Sequence, residues 1–365
     1  MVLEINWAQA HSHMISCPVK SADVESIECD GDFAVKADTR RIQIWNLKLA
    51  KAAKVLVFKH QAASCSDHSY CQRVLVSCGI GLTIGCYEHP TRYFVRTFDC
   101  KTAAWLASFE YESRPVQESY RLHGKTLIGQ PSETGDLREF SVWSSIAGTL
   151  RHILSGHETH IKDLALCGDM AASVAENVKL WDVNKGECLR NFECQHLDGN
   201  RQSKCQLNSR HFALLLSKER ESESLTLWNI GSGDCSTVST IPIGDDLDYD
   251  FACVRLALNE FAVVRSCRFH YYVWNDKLQV MFESQSAGRL LLAGARMIRY
   301  DRYPRKRFIY RLGPGTKSLD LLRKTALYRF LCVIWADDTK VIMFLSSPFV
   351  HLDPSSEALQ VLHFW

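Results

Sequence analysis

The amino-acid sequence predicts an all-β fold, a closed β-propeller built from four-stranded blades. A unit of four short strands recurs along the chain, and the two ends of the chain hold complementary partial units. The strands of these units are apolar almost continuously, which is typical of sheets that are buried on both faces. Eight units fit the sequence best, and seven are also compatible with it.

The clearest unit spans residues 160–192 and contains four short apolar runs separated by turn signals. Turns containing Gly, Asp or Asn join the first three runs, and the third run ends at Trp181-Asp182. The fourth run closes the unit at Phe192. Short apolar runs joined by such turns predict an antiparallel meander of four strands.

The same layout recurs with a large residue near the end of each third strand, which we call the anchor residue. A four-stranded sheet of this size cannot bury both of its faces alone, so successive units are expected to stack side by side. The anchor residues recur at intervals of 36 to 53 residues, and they are Trp45, Phe98, Trp143, Trp181, Trp228, Trp274 and Tyr310.

The two ends of the chain predict that the propeller is closed. The last unit has only three predicted strands, with Leu362 in the anchor position, and residues near 13–17 form one strand ahead of the first complete unit. Pairing of these residues with 358–364 would complete the last sheet and leave no open edge. We therefore expect an N-terminal link at 1–12 and a single propeller domain at 13–365, closed by its terminal strands.

Composition narrows the classes of function. The 43 basic and 41 acidic residues nearly cancel, so no global field favours nucleic acid or a membrane surface as a partner. The 15 cysteines stand singly in apolar runs, which is typical of reduced, buried thiols rather than of a disulfide framework. The sequence has no apolar stretch long enough for a membrane span and no signal peptide, so a cytoplasmic or nuclear protein is expected.

No group of residues has the spacing of a catalytic or metal-binding motif. The segment His157-Glu158-Thr159-His160 places its histidines three residues apart in a turn, whereas the zinc-protease motif needs them at i and i+4 on a helix. We therefore expect no catalytic residue, no bound metal and no cofactor. Four further side chains suit zinc chemically but lack the spacing of a zinc finger: Cys65, His68, Cys71 and Cys78.

The clearest unit resembles WD-repeat propellers, whose signature is a Gly-His turn and a Trp-Asp ending, here Gly156-His157 and Trp181-Asp182. In that family a His, a Ser and the Trp share a hydrogen-bonded network that stiffens the blade. The resemblance therefore implies structural roles for His157, Ser173, Trp181 and Asp182. The family's Asp in the turn between the second and third strands is missing, and Glu176-Asn177 stands there instead. The other units resemble the family in layout more than in motif.

A narrower resemblance concerns the F-box/WD-repeat proteins. Asn6-Trp7, followed by a closing strand and the first blade, looks like the link that follows the F-box in that group. The last unit, which ends on its third strand, looks like the eight-bladed members. Only five residues precede Asn6, so we expect the adaptor-binding F-box to be absent from this chain. The resemblance implies a ubiquitin-ligase substrate receptor if the full gene product carries an F-box.

Basic residues recur at the turns between the second and third strands of four units, and the run 299–311 interleaves six of them with aromatic side chains. In the propellers that this chain resembles, these turns lie on one face around the central channel. Arg suits bidentate capture of carboxylate or phosphate, whereas the alternative is ordinary solvated turns with acids nearby. The candidate peptide-binding residues are Arg40, Arg41, Arg265, Arg268, Arg302 and Arg305, with Lys218 and Arg220 in the equivalent turn of the fifth unit.

These features predict a non-catalytic scaffold that binds a protein or peptide, acidic or phosphorylated, on its channel-rimmed face. Two alternatives stay open: an enzyme that uses the channel as its active site, and a structural subunit of a larger assembly. An enzyme would need His and carboxylate side chains clustered at one channel mouth, whereas the aligned turns supply mostly Arg and Lys. Neither nucleic acid nor a membrane is expected as a partner.

Overall fold

A computed structural model describes residues 13–18, 26–30, 32–37, 41–46, 51–57, 69–87, 92–112, 119–130, 135–194, 202–218 and 222–241, and beyond these the strands named below. Side-chain surroundings are described within residues 28–237. The described part contains strands and turns and no α-helix. Within it, no helix is long and apolar enough to cross a membrane.

The described residues form 32 strands. The first sixteen are β1 (His13–Pro18), β2 (Ser26–Asp30), β3 (Phe33–Ala37), β4 (Arg41–Asn46), β5 (Lys51–Val57), β6 (Ser69–Ser77), β7 (Ile80–Tyr87), β8 (Arg92–Asp99), β9 (Ala104–Tyr111), β10 (Arg121–His123), β11 (Thr126–Gly129), β12 (Phe140–Ser144), β13 (Leu150–Leu154), β14 (Asp163–Cys167), β15 (Met170–Val174) and β16 (Val178–Asp182). The others are β17 (Glu187–Phe192), β18 (Gln202–Leu207), β19 (His211–Lys218), β20 (Ser222–Asn229), β21 (Cys235–Ile241), β22 (Cys253–Leu256), β23 (Ala262–Ser266), β24 (His270–Trp274), β25 (Val280–Gln285), β26 (Arg289–Ala293), β27 (Arg296–Asp301), β28 (Lys306–Arg311), β29 (Asp320–Ala326), β30 (Phe330–Ala336), β31 (Lys340–Ser346) and β32 (Ala358–His363).

These strands form eight four-stranded antiparallel sheets. Seven are meanders of consecutive strands, from β2–β5 to β26–β29, and we number them blades 1 to 7 in chain order. The eighth sheet, blade 8, has the order β1-β32-β31-β30. The chain therefore folds as a β-propeller of eight four-stranded blades, which confirms the predicted fold class and the favoured number of blades.

The first strand of the chain completes the last blade. β1 pairs antiparallel with β32, with His13 opposite His363 and Pro18 opposite Ala358. The first strands of successive blades lie next to each other: β2 contacts β6, and β14 contacts β18. We call the surface formed by these first strands the inner wall. β30 likewise contacts β2, which brings blade 8 against blade 1.

The anchor residues occupy equivalent positions in their blades. Trp181 lies opposite Ala171, and Trp228 lies opposite Phe212. Ala171 and Phe212 are each the second residue of the second strand in their blade. The five anchors from Trp45 to Trp228 are all buried. In six blades the pairing of the third with the fourth strand shifts register at the anchor. Such a bulge bends and twists the outer strand at a fixed point of each blade.

The residue after the anchor builds the turn to the fourth strand. Asp182 Oδ1 accepts the N–H groups of Asn184 at 2.9 Å and Lys185 at 3.0 Å, and Asn229 makes the same kind of turn in blade 5. Such side chains stabilise a turn by bonding the backbone two or three residues on. The fourth residue after Asp182 is Gly186, with a φ of 75° that favours glycine.

The core lies between blades rather than within them. One apolar cluster joins Phe140 and Val142 of blade 3 to Trp181 of blade 4, and similar clusters fill the spaces between blades 1 and 2, 2 and 3, and 4 and 5. Because each sheet buries its faces against its neighbours, the blades have nearly continuous apolar strands, as the sequence indicated.

A meander places its turns at two ends. The upper end, as we call it, holds the segments between second and third strands together with the connections from one blade to the next. In blade 4 these are residues 175–177 and 155–162, and hydrogen bonds between Glu176 and Thr159 show that they lie side by side. The lower end holds the remaining turns.

Candidate functional site

A chain of hydrogen bonds in blade 4 runs from the buried anchor towards the upper end. Trp181 Nε1–H donates to Ser173 Oγ at 2.8 Å, and that hydroxyl lies 2.7 Å from His157 Nε2. His157 Nδ1 lies 3.1 Å from Glu176 Oε1. Each group can donate to the next if the His157 proton is on Nδ1, because a carboxylate only accepts. The structure thus brings together His157, Ser173 and Trp181.

Glu176 completes this network, although no role for it was expected from the sequence. Its Oε1 faces His157, and its Oε2 accepts the N–H of Glu158 at 3.3 Å and of Thr159 at 3.1 Å. The hydroxyl of Thr159 donates to the same oxygen at 3.1 Å. Glu176 therefore stands where WD-repeat propellers have an Asp. The signal available in the sequence was a carboxylate in the turn that follows Ser173.

The protonation states in this network follow from its surroundings. Burial lowers the pKa of His157, which favours the neutral ring that the hydrogen-bond chain needs, although Glu176 opposes that shift. Burial alone would raise the pKa of Glu176, but backbone N–H groups and His157 outweigh it and hold that pKa at about 2. The carboxylate is therefore charged at neutral pH and braces the loop above it.

The other described blades fill the Ser173 position differently. The equivalent residue is Gly129 in blade 3, where a Cβ would stand only 2.6 Å from the Tyr120 ring. That ring stacks on the anchor Trp143, with centroids 6.2 Å apart and planes 16° from parallel. Blade 3 thus uses ring packing where blade 4 uses hydrogen bonds. In blades 1, 2 and 5 the equivalent positions hold Lys36, Thr83 and Leu214.

A buried carboxylate on the inner wall joins three blades. Asp163 of β14 accepts a bond from the Arg121 guanidinium of blade 3 at 2.6 Å and from the Cys205 N–H of blade 5 at 2.8 Å. Burial, with Asp163 adding to it, raises the pKa of the Cys205 thiol well above its usual value. These polar groups are occupied in holding blades together, and the thiol stays protonated.

Four of the six candidate peptide-binding residues lie outside the described residues: Arg40, Arg268, Arg302 and Arg305. Arg41 opens β4 and Arg265 lies in β23, and only the backbone of each is described. Lys306 and Arg307, two basic residues of the run 299–311, belong to β28 and therefore lie in a strand and not in a turn. In chain order, the residues between the second and third strands are 38–40 in blade 1, 219–221 in blade 5, 267–269 in blade 6 and 302–305 in blade 7. Arg41 and Arg265 therefore lie in the strands that flank these segments and not in the turns where they were expected.

The described part of the chain holds no metal-ligand cluster: no three His, Cys, Asp or Glu side chains within it could share an ion. The paired histidines of the 157–160 segment have separate surroundings. His157 is buried in the network, whereas His160 is exposed next to the Asp136 carboxylate.

Comparison with known proteins finds likeness in structure alone. No protein-family model and no curated protein sequence matches the chain. A solved structure of the computationally designed Ika8 protein is similar, with 14% identity and a TM-score of 0.58 over 95% of this chain and 97% of that one. BamB from Moraxella catarrhalis, a β-propeller, is similar at 9% identity and a TM-score of 0.57 over 96% and 98%. Identities this low show a shared fold.

Proposed function

We propose that this propeller is a non-catalytic interaction scaffold that binds an acidic or phosphorylated peptide at its upper end. The observation that carries the proposal is the recurrence of basic residues in or beside the segments between the second and third strands of four different blades. The proposed contact residues are Arg40, Arg41, Arg265, Arg268, Arg302 and Arg305.

Charge supports this choice of ligand. The whole chain carries a formal net charge of only +2, so the basic segments represent a local gathering of charge and not a general excess. Several guanidinium groups around one phosphate can each form charge-assisted hydrogen bonds, and these discriminate a phosphorylated from an unmodified peptide. Bonds at a channel mouth are less screened than bonds on an open surface.

A binding role also suits the polar side chains described above. Asp163 and Arg121 are bonded to each other, and His157 is buried in the blade 4 network, so these groups hold the fold together. Catalysis would need acid and base groups that face a substrate with suitable pKa values. We therefore assign the function to recognition by the upper end.

The finer assignment within this proposal is a WD-repeat propeller that acts as the substrate receptor of a ubiquitin ligase. It is supported by the His157–Ser173–Trp181 hydrogen bonds, which resemble the WD-repeat network, and by the Asn6-Trp7 link. This role requires an F-box elsewhere in the full gene product. Co-purification of a ligase adaptor with that product tests it, and absence of any adaptor would contradict it.

The binding proposal is tested with matched phosphorylated and unphosphorylated peptide libraries. We expect wild-type protein to retain phosphorylated members, and an Arg265→Glu/Arg302→Glu variant to lose them. The control is Arg151→Glu/Arg210→Glu, which reverses two exposed arginines on an outer strand and a lower-end turn. Binding that ignores peptide phosphorylation, or that falls equally in both variants, would contradict the proposal.

A further inference from the structure

Two thiols lie in the interface between blades 4 and 5, one from each blade. Cys194 follows β17 and packs against the apolar cluster that joins Phe192 of blade 4 to Trp228 of blade 5, whose ring centroids are 5.9 Å apart. Cys235 opens β21 and lies directly opposite Trp228 in the pairing of β20 with β21. Because directly opposite residues share one face of a sheet, Cys235 lies on the face that Trp228 presents to blade 4.

The interface between blades 3 and 4 shows how closely these two positions approach each other. Gly156 stands two residues after β13, as Cys194 stands two residues after β17. A Cβ on Gly156 would lie 4.0 Å from Cη2 of Trp181, the anchor of blade 4. The residue at this position therefore reaches the anchor of the following blade, and for Cys194 that anchor is Trp228.

The two thiols differ in their exposure and affect each other's charge. Cys235 is exposed, whereas Cys194 is half-buried. Burial raises the pKa of Cys194 to about 11, with a further contribution from the charge that Cys235 carries as a thiolate. Such a charge effect weakens with distance, which agrees with two sulfurs placed in the same interface. A soluble oxidant can reach Cys235 first.

We propose that Cys194 and Cys235 are a redox modification site and form a reversible disulfide between blades 4 and 5. A small disulfide such as glutathione disulfide is the oxidant. The Cys235 thiolate attacks one of its sulfurs, which forms a mixed disulfide and releases one glutathione thiolate.

The second step closes the bond between the blades. Cys194 loses its proton to water and attacks Cys235 Sγ, and the bond from Cys235 to glutathione breaks and releases a second glutathione thiolate. Two protein thiols are thereby oxidised, and one small disulfide is reduced to two thiols. The new bond closes a loop of the chain that contains β18, β19 and β20. Such a loop restricts the unfolded chain, so the oxidised protein should be the more stable form.

The matching positions of the preceding interface supply a control. Cys188 lies opposite the anchor Trp181, as Cys235 lies opposite Trp228. Cys188 is exposed too, but Gly156 stands where a second thiol would be needed. Cys188 should therefore take up glutathione without passing it on to a neighbouring thiol of the preceding blade.

The test incubates the protein with glutathione disulfide, blocks the remaining thiols by alkylation and maps disulfides by mass spectrometry. Wild-type protein should yield a peptide pair linked through Cys194 and Cys235, and its melting temperature should rise by about 4 °C. Reduced dithiothreitol should reverse both changes. Cys194→Ser should stop the reaction at glutathione bound to Cys235, and the control Cys188→Ser should behave as wild type.

Two results would overturn the proposal. One is wild-type protein that keeps glutathione on Cys235 and forms no bond to Cys194. The other is a bond from Cys194 that forms with Cys188 as often as with Cys235, since this would mean unspecific oxidation of the unfolded chain. A melting temperature that rises equally in wild type and in Cys235→Ser would likewise show that the bond is not the cause.

Discussion

Trp181 contributes to stability through burial on both sides of its ring. It packs edge-on against Phe140 of blade 3, with centroids 5.9 Å apart, and donates to Ser173 within its own blade. Trp181→Ala should therefore lower the free energy of unfolding by about 3–5 kcal/mol, as for other large buried aromatics. Chemical denaturation measures this, with Trp105→Ala as the control because Trp105 is 36% exposed. Equal losses in the two variants would contradict the account.

Glu176 makes stability depend on pH. Its pKa is about 2 in the folded protein against an ordinary 4.5. Its contribution is therefore complete above pH 4.5 and is lost as the pH falls towards 2, where the unfolded chain takes up the proton first. Burial of His157 adds to this pH dependence. Because its pKa in the folded protein lies below 6.5, the folded state becomes less stable as the pH falls below 6.5.

The comparison of wild type with Glu176→Gln isolates this effect. Gln removes the charge and keeps the size of the side chain, so the variant should be less stable at pH 7. The difference in unfolding free energy should shrink as the pH is lowered from 4.5 to 2. A difference that stays constant across this range would mean that the carboxylate is not held in its charged form by the fold.

At the scale of the element, three outer strands of the described blades, β9, β13 and β17, each contact the turn of the following blade. His152 of β13 packs on Gly186, and its Nε2 lies 2.9 Å from the carbonyl oxygen of Asn184. Arg190 of β17 packs on Gly233 and donates to the carbonyl of Gly231 at 2.8 Å. Ala107 approaches Gly148 of blade 3 likewise. The glycines permit both a positive φ and this close approach.

Substitution of two glycines with positive φ can measure the cost of backbone strain apart from the cost of losing the close approach between blades. A Cβ on Gly186 would stand 2.6 Å from His152 Nδ1, whereas a Cβ on Gly168 would meet nothing within 4 Å. Gly168→Ala should cost about 1 kcal/mol from backbone strain alone, and Gly186→Ala should cost more. Adding His152→Ala should recover part of that excess, measured as a double-mutant coupling. Equal costs at both glycines would show that the contact between blades is unimportant.

The sequence predicted elements well where the signal was local. Four strands were expected within residues 160–192, the third ending at Trp181-Asp182 and the fourth at Phe192. The observed strands are Asp163–Cys167, Met170–Val174, Val178–Asp182 and Glu187–Phe192. The partners of Asp163 could not be predicted, because Arg121 and Cys205 each lie 42 residues away in other blades. The role of Glu176 was missed because its backbone partners become visible only when the loop is folded.

At the scale of the whole molecule, stability depends on the pairing of β1 with β32. Deletion of residues 1–18 removes β1 and leaves β32 as an open edge, which should cause aggregation. Deletion of residues 1–12 keeps every residue of β1 and is the matched control. Light scattering and thermal unfolding compare the two. If the longer deletion is as soluble and stable as the shorter one, the terminal strands do not hold the propeller together.

The central claim is that the upper end of the propeller is the binding face, and cross-linking tests it most directly. A phosphopeptide with a photoreactive group, selected from the library, is cross-linked to wild-type protein, and the attached residues are identified by mass spectrometry. We predict attachment within residues 38–41, 265–268 and 302–305, suppressed by excess unlabelled phosphopeptide. Attachment confined to the outer strands, or to lower-end residues such as Lys125, Asp169 and Arg210, would contradict the account.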